Sequence, residues 1–390
     1  MSDSTLVTAP QEVLTFRKEF PILEHKVHLA NNSRSALSRD GMRSVQEYMD
    51  AWNREGAPWA AWAAKHEELR ASFAGMIGAK MHEIAIVPSV SVAMGGLASC
   101  FDWGDRPAVA FDDFSFPSVV YLWLAYQARG VEVRRARERD GEMPPEAFDD
   151  ILDDKVQLLT VSHVYYNTAH RLNLLAVAER CRAHDILFVV DDYQCCGTRP
   201  INVREIGADV LVTGTVKYLL GSPGLALLYV REGLFDRLHP AATGWFGQED
   251  FNDFQIERHK EAPDARRFQA GSAAFPAIFD SLAGIELIKS VGLEKIGPWI
   301  ETLTAHFIER CTEEGFLVAT PRDPAKRGPH VSVSCHDLQA ALGELGKRDI
   351  VITGREGNIR AAFHYFNTPE DIEVLIAALK DIEHLIVKTE

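Results

Sequence analysis

The feature that most constrains the fold of this chain is an alternation of short apolar runs with longer helix-patterned segments over its first two-thirds. The runs fall at 84–87, 108–111, 156–161, 186–190, 209–212 and 225–230. Strands that read as nearly continuous apolar runs are buried on both faces, as happens when helices cover both sides of a parallel sheet. The intervening segments 92–100, 117–129 and 174–184 read as crossover helices, and 65–77 sets Leu69, Phe73 and Ile77 on one helical face. The pattern predicts an α/β domain built on a mostly parallel sheet.

Beyond it, 246–267 is polar, aromatic and irregular, which predicts a long ordered loop. A helical stretch at 275–291 leads towards a second, α+β domain with helices around 296–314, short strands near 331–333 and 350–353, and a final helix from Pro369. The expected division is an N-terminal segment 1–25, a large domain 26–275 and a small domain 276–390, with no internal repeat. A length of 390 residues with 46% hydrophobic content supports two cores of that size. The formal net charge of -15 argues against nucleic acid as a partner. Arg134-Arg135 and Arg266-Arg267 read as solvated faces or local anion contacts. No apolar run is long enough to span a bilayer, and the first residues lack the apolar core of a signal peptide. The six cysteines show neither CxxC pairing nor Cys/His metal spacing, so reduced thiols, no metal site and a cytoplasmic location are expected.

One lysine stands out. In 209–224 an apolar strand runs through Gly214 and Thr215 to Lys217, and a Gly/Pro-rich turn follows. A lysine at a strand end often snorkels to solvent. One held among buried strands instead has a depressed pKa, which makes its amine nucleophilic enough to form a Schiff base. In open parallel sheets ligands bind outside the carboxyl ends of the strands, so the residues following each strand carry the argument. Asp191, after 186–190, suits either an ion pair with the lysine or a bond to a protonated pyridine nitrogen. Ser89 and Ser91 follow 84–87 where a helix begins; a hydroxyl there caps the helix, and the same terminus can hold a phosphate. Phe116, after 108–111, offers a ring on which a planar ligand could stack. Together these parts describe a pyridoxal-phosphate site.

Three blocks, 190–197, Gly207-Ala208-Asp209 and the segment around Lys217, match an aspartate, glutamine and lysine signature in order and spacing. On them the sequence resembles the class V aminotransferase group of fold-type I pyridoxal-phosphate enzymes, over nearly its whole length. Segments 29–33, Phe116-Pro117-Ser118, 162–166, Gly244-Trp245-Phe246-Gly247 and 359–371 look most like kynureninases and the isopenicillin N epimerase and lyase branches. The resemblance implies a seven-stranded, mostly parallel large domain, pyridoxal 5'-phosphate as cofactor, and a homodimer with sites shared across the interface. It implies that Lys217 forms the Schiff base and moves protons. Asp191 would hold the pyridine nitrogen protonated, and Gln194 would reach the phenolic oxygen with Tyr166 on the same side. Phe116 would cover the ring. Ser91 and the Val90 backbone would bind phosphate, with Ser272 and Trp245 reaching over from a partner subunit. Arg360 would clamp the substrate α-carboxylate, and Asn32 would line the substrate side.

The departures are equally specific. Val216 stands where the family carries a phosphate-touching His or Tyr, leaving Thr213 or Thr215 as substitute hydroxyls. Gly271-Ser272-Ala273 keeps the hydroxyl of the family's phosphate segment and loses its proline. The loop 353–358 has no thiol, which argues against sulfur transfer of the cysteine desulfurase kind. The expected activity is cleavage of a Cβ–S, Cβ–heteroatom or Cβ–Cγ bond of an amino acid by a lyase or hydrolase. An aminotransferase or epimerase is the alternative, and Trp245 and Phe246 suit either a bulky substrate side chain or core packing. A catalytically silent binding protein would have lost Lys217, Asp191 or Arg360. A nicotinamide oxidoreductase would carry Gly-x-Gly-x-x-Gly after a strand, and none is present.

Overall fold

Side-chain alternation along the strands divides the large sheet between two cores. In the computed structural model, which describes residues 7–139 and 141–389, the chain runs α1 (Gln11–Arg17), β1 (Val27–His28), α2 (Arg39–Glu55), α3 (Trp59–Ile77), β2 (Ile84–Val87) and α4 (Val90–Ala98). It continues with β3 (Ala108–Asp112), α5 (Pro117–Gln127), β4 (Glu132–Ala136), β5 (Val156–Ser162), α6 (Leu174–Ala183), β6 (Leu187–Asp191), β7 (Val210–Gly214) and β8 (Ala226–Val230). The C-terminal part holds α7 (Phe275–Val291), α8 (Leu293–Glu313), β9 (His330–Ser334), α9 (Leu338–Gly346), β10 (Ile350–Val351), β11 (Thr353–Arg355), β12 (Asn358–Ala362) and α10 (Pro369–Asp381). The first six residues of the expected N-terminal segment and the last of the expected small domain lie outside the described residues.

The seven-stranded sheet has the order β2-β8-β7-β6-β5-β3-β4. Only β8 runs antiparallel to its neighbours, β2 and β7. Val87, Val109, Leu158, Val189, Val210 and Val212 face a core closed by Met94 and Leu97 of α4 and Trp123 of α5. Ile86, Ala110, Leu159, Val190 and Leu211 face the opposite core, closed by Leu69 and Phe73 of α3, Val177 of α6 and Ile278 of α7. Each such aliphatic or aromatic side chain contributes roughly 1.5–3 kcal/mol on burial. The period of two therefore fixes which residues must point along the strand ends instead of into either core.

Several elements depart from the sequence expectation. The helix expected at 65–77 starts at Trp59, and α2, a 17-residue helix capped by Ser38 through Gly41 N at 2.9 Å, precedes it. Strand β4 is the sheet's edge; its Arg134 pairs with Glu132 and Asp153 and its Arg135 with Asp113, so the basic pair forms local anion contacts on a strand. Arg267, by contrast, is buried, with its guanidinium on the carbonyls of Phe235, Leu238 and Ala262. The strand expected at 350–353 is split. Ile350–Val351 pairs in parallel with β1, whereas Thr353–Arg355 forms a hairpin with β12 in the sheet β11-β12-β9. The region 246–267 is irregular apart from short 3-10 turns, as expected for an ordered loop. All six cysteines are free thiols. Among the described residues no helix is long and apolar enough to cross a membrane.

Candidate active site

Parallel strands β5, β6 and β7 end side by side, with Ser162 opposite Asp191 and Asp191 opposite Val212. A cavity of ≈ 350 Å³ opens over these carboxyl ends and is closed on its far side by the β11–β12 hairpin. That volume is in the range of small-molecule sites. Asn32, Val90, Ser91, Phe116, Tyr166, Asp191, Gln194, Lys217 and Arg360 all line it, although they come from segments spread over most of the chain.

Lys217 reaches the cavity because the chain turns sharply after β7. Gly221 N donates to Thr215 O at 2.8 Å, Leu220 N to Lys217 O at 3.0 Å, and Ser35 N to Val216 O at 3.0 Å. Its Nζ lies 4.1 Å from the centroid of the Tyr193 ring and 5.5 Å from that of Phe116. Burial lowers the lysine pKa; the Asp191 carboxylate opposes the shift, while Arg360 and Arg355 add to it. Tyr193 can lie so close because residue 214 is glycine: a Cβ there would stand 2.0 Å from Tyr193 Cζ. Phe116 presents a partly exposed face to the cavity, with its ring edge-on to Tyr166 at 5.3 Å.

Asp191 is buried at the end of β6, and its Oδ1 accepts from Tyr193 N at 3.0 Å. Burial raises its pKa, with the Tyr193 amide and the Lys217 charge working the other way. Behind it His163 Nδ1 meets Asp192 Oδ1 at 2.7 Å. Burial disfavours a charge on His163, yet the neighbouring Cys195 and the Asp192 carboxylate push its pKa up to about 10. His163, Asp192 and Cys195 are the only group among the described residues close enough together to hold a metal ion. As it stands, the trio is a buried ion pair with a thiol beside it.

Three residues at the substrate side each have a buried polar atom without a partner. These atoms are Asn32 Nδ2, Gln194 Oε1 and Arg360 Nε. Their remaining atoms are engaged. Gln194 Nε2 donates to Asn32 O at 3.1 Å, and Asn32 Oδ1 accepts from Thr353 Oγ1 at 3.0 Å. Arg360 donates to Tyr166 O at 2.5 Å and to Thr353 Oγ1 at 3.2 Å. An unpaired buried polar atom costs roughly 1–3 kcal/mol, so three around one cavity describe a surface built for a polar ligand. Burial and the neighbouring Arg355 lower the Arg360 pKa to about 10, which still leaves it charged at neutral pH.

At the other end of the cavity α4 begins. Ser89 caps it by accepting from Val92 N at 3.2 Å. The amides of Val90 and Ser91 precede the first intrahelical acceptor and remain available, with the positive end of the helix dipole behind them. Thr213 and Thr215 do not line the cavity. Thr215 Oγ1 donates to Ser222 O and accepts from Ser281 Oγ, both at 2.9 Å, and so joins the turn to α7. Val216 does line the cavity, as an apolar wall. Trp245 and Ser272 lie elsewhere. Trp245 packs edge-on to Trp59 at 6.1 Å and Phe246 at 5.0 Å, and Ser272 lines a separate depression with His66 and Phe246. Sequence reasoning overlooked Tyr193 and Arg355 as cavity residues. Tyr193 stands two residues after Asp191 at the same strand end, which is the local signal for it; Arg355 stands in the loop 353–358.

A family model described as Aminotransferase class-V matches residues 29–375 of this chain. An uncharacterized aminotransferase of Bacillus subtilis, YcbU, is 35% identical, covering 92% of this chain and 94% of its own. A kynureninase of Geobacillus thermodenitrificans is 25% identical over 94% of this chain and 90% of its own. Among solved structures, a variant of the enzyme C-DES with glycine covalently linked to its PLP cofactor superposes with a TM-score of 0.87 at 20% identity, covering 94% of this chain and 99% of that one. The last similarity bears on fold alone.

Proposed function

The chain belongs to the class-V aminotransferase family, and from that membership we propose that it is a pyridoxal-phosphate-dependent lyase or hydrolase that cleaves a bond at the β-carbon of an amino acid. Pyridoxal 5'-phosphate is the cofactor of this enzyme class, and the cavity fits it. A nucleophilic lysine, a buried carboxylate, an aromatic wall and a helix start with free amides surround a space of suitable size. When bound, the cofactor supplies a conjugated ring that accepts the electrons of a bond broken next to the amine nitrogen.

The residues of the chain select what happens around that ring. Lys217 would hold it covalently, and its amine, with a pKa lowered by burial, would take a proton from Cα and return one. Asp191 uses one oxygen on Tyr193 N and keeps the other for a protonated pyridine nitrogen. Gln194 Nε2 carries two protons, one of which is spent on Asn32 O, so the second is free for the phenolic oxygen. Arg360 holds the α-carboxylate with a planar guanidinium that Tyr166 O and Thr353 pre-orient. Val90 and Ser91 receive the phosphate. Trp245 and Ser272, absent from this cavity, are assigned to the site of a second copy in a homodimer.

The observation that carries the choice of reaction is the make-up of the cavity wall: no cysteine lines it among the described residues, and the hairpin facing Lys217 carries Arg355 and Arg360. Sulfur transfer through a persulfide is thereby disfavoured, and the similarity to kynureninases supports cleavage beyond Cα. The similarity to YcbU supports transamination as the second reading. Product analysis after incubating the holoenzyme with a panel of amino acids separates them. Alanine plus a side-chain fragment, or ammonia plus pyruvate, is the expected result. A keto acid with aminated cofactor would establish the second reading, and an inverted stereocentre would make the enzyme an epimerase.

A further inference from the structure

The cavity contains a second guanidinium that this reaction leaves without a task. Arg355 ends β11 and lines the cavity together with Arg360. Thr353 stands opposite Arg360 in the hairpin register and touches it through Oγ1. Side chains two apart on a strand share a face, so Arg355 projects on the side where Thr353 meets Arg360. Its charge is strong enough there to lower the pKa of both Lys217 and Arg360. Arg355 donates to Gly354 O at 2.8 Å and has no carboxylate partner among the described residues. The adjacent acid, Glu356, is engaged elsewhere, with one oxygen on the Tyr166 hydroxyl and the other on Asn167 Nδ2 at 3.0 Å.

The charge balance of the cavity wall follows. Among the side chains lining the cavity, Lys217, Arg355 and Arg360 oppose one carboxylate, Asp191, while Glu356 outside the lining adds its charge on the Arg360 side. A monocarboxylic amino acid neutralises Arg360 and leaves Arg355 unpaired beside it. An amino acid with two anionic groups neutralises both, and an arginine fork suits an oxyanion of either carboxylate or related geometry. We propose that Arg355 is a specificity-determining residue that binds an anionic group on the substrate side chain, so that the substrates are α-amino acids with acidic side chains. The proposal rests on the reading of Arg360 as the α-carboxylate clamp, and it names the substrate class for that same cavity.

Ligands without an amine separate this proposal from the reaction itself. Calorimetric titration of the holoenzyme with succinate and with butyrate compares two carboxylates with one at the same chain length. Succinate is expected to bind at least about 10-fold more tightly, as one charge-assisted contact allows. Arg355→Gln should bring succinate to the level of butyrate while the absorption of the bound cofactor is retained, and Arg355→Lys should restore part of the difference. In turnover, Arg355→Gln should raise KM for aspartate or glutamate relative to asparagine or glutamine. Equal binding of succinate and butyrate, or an equal loss of both in Arg355→Gln, overturns the proposal. Discrimination in a protein that turns over no amino acid keeps the anion site and refutes the proposed reaction. Turnover indifferent to Arg355 does the reverse.

Discussion

Replacing Gly214 with alanine tests the idea that one missing methyl group shapes the lysine's surroundings. Gly214 is the last residue of β7 and its φ lies outside the left-handed region, so alanine fits the backbone. What it does not fit is Tyr193. The new Cβ would stand 2.0 Å from Tyr193 Cζ and 2.1 Å from Oη. Carbon atoms pack at about 3.5 Å, so the ring must retreat by roughly 1.5 Å. Tyr193 lines the cavity, with a lysine nitrogen already 4.1 Å from the ring centroid. Overpacking of this kind costs about 1–3 kcal/mol. Charged against cofactor binding, that is roughly a 5- to 150-fold rise in the dissociation constant.

The assay is a titration of apo-protein with pyridoxal phosphate followed by visible absorption, with urea denaturation to report stability. A double-mutant cycle supplies the control. In a Tyr193→Ala background the clash is gone, and Gly214→Ala should be neutral or stabilising by about 0.4–1 kcal/mol through the unfolded chain. If Gly214→Ala weakened the cofactor equally in both backgrounds, the ring would not be the cause and the reasoning would fail.

Arg360→Ala should weaken amino-acid binding by about 10- to 100-fold and leave the cofactor's absorption intact, because the guanidinium is assigned to the substrate and not to the ring; an unchanged substrate affinity would remove it from that role. His364 gives a pH dependence with a fixed sign. Tyr365 N donates to its Nδ1 at 2.8 Å, so the proton sits on Nε2, which donates to Tyr218 O at 3.1 Å. Burial lowers its pKa from 6.5 to about 4. A base whose folded pKa is depressed supports folding fully above pH 6.5 and loses that support as pH falls towards 4, by roughly 2 kcal/mol at pH 5. His28 is lowered to about 4 by burial as well, so His364→Gln should remove about half of the stability loss these two cause between pH 7 and pH 5 in urea melts of the apo-protein. An unaltered slope would show that His364 does not titrate there. Asp192→Asn should destabilise by about 3–5 kcal/mol, since it leaves the buried His163 charge without its carboxylate; a loss under 1 kcal/mol would mean that the pair is not ionised.

Much of this protein was legible before any coordinates. The buried strands announced themselves because both of their faces are covered, and hydrophobicity alone marks such residues. The edge strand β4 did not, because only Ala136 of its five residues is fully buried and Arg134 and Arg135 read as surface charge. Helix α2 was missed for a related reason: of its 17 residues only Gly41 and Tyr48 are buried, so its apolar face is thin. The split of 350–353 between two sheets was invisible, since Val27, the partner of Ile350, is remote in sequence.

The candidate site divides in the same way. Residue type at a strand's end is a local property, so Lys217, Asp191, Phe116 and the α4 start could be picked out singly. Whether a hydroxyl points at a cavity or away from it is decided by packing, and Thr215 turns to Ser222 and Ser281. The unpaired atoms of Asn32, Gln194 and Arg360 exist only once segments far apart in sequence meet, and only the fold turns the Arg355 and Arg360 hairpin towards Lys217. Sequence by itself determined the layers of the fold and the chemistry available at each strand end, because burial and periodicity are written along the chain. Tertiary structure alone decided which polar atoms are left without partners and where like charges converge, because hydrogen bonding and electrostatics depend on distance in space.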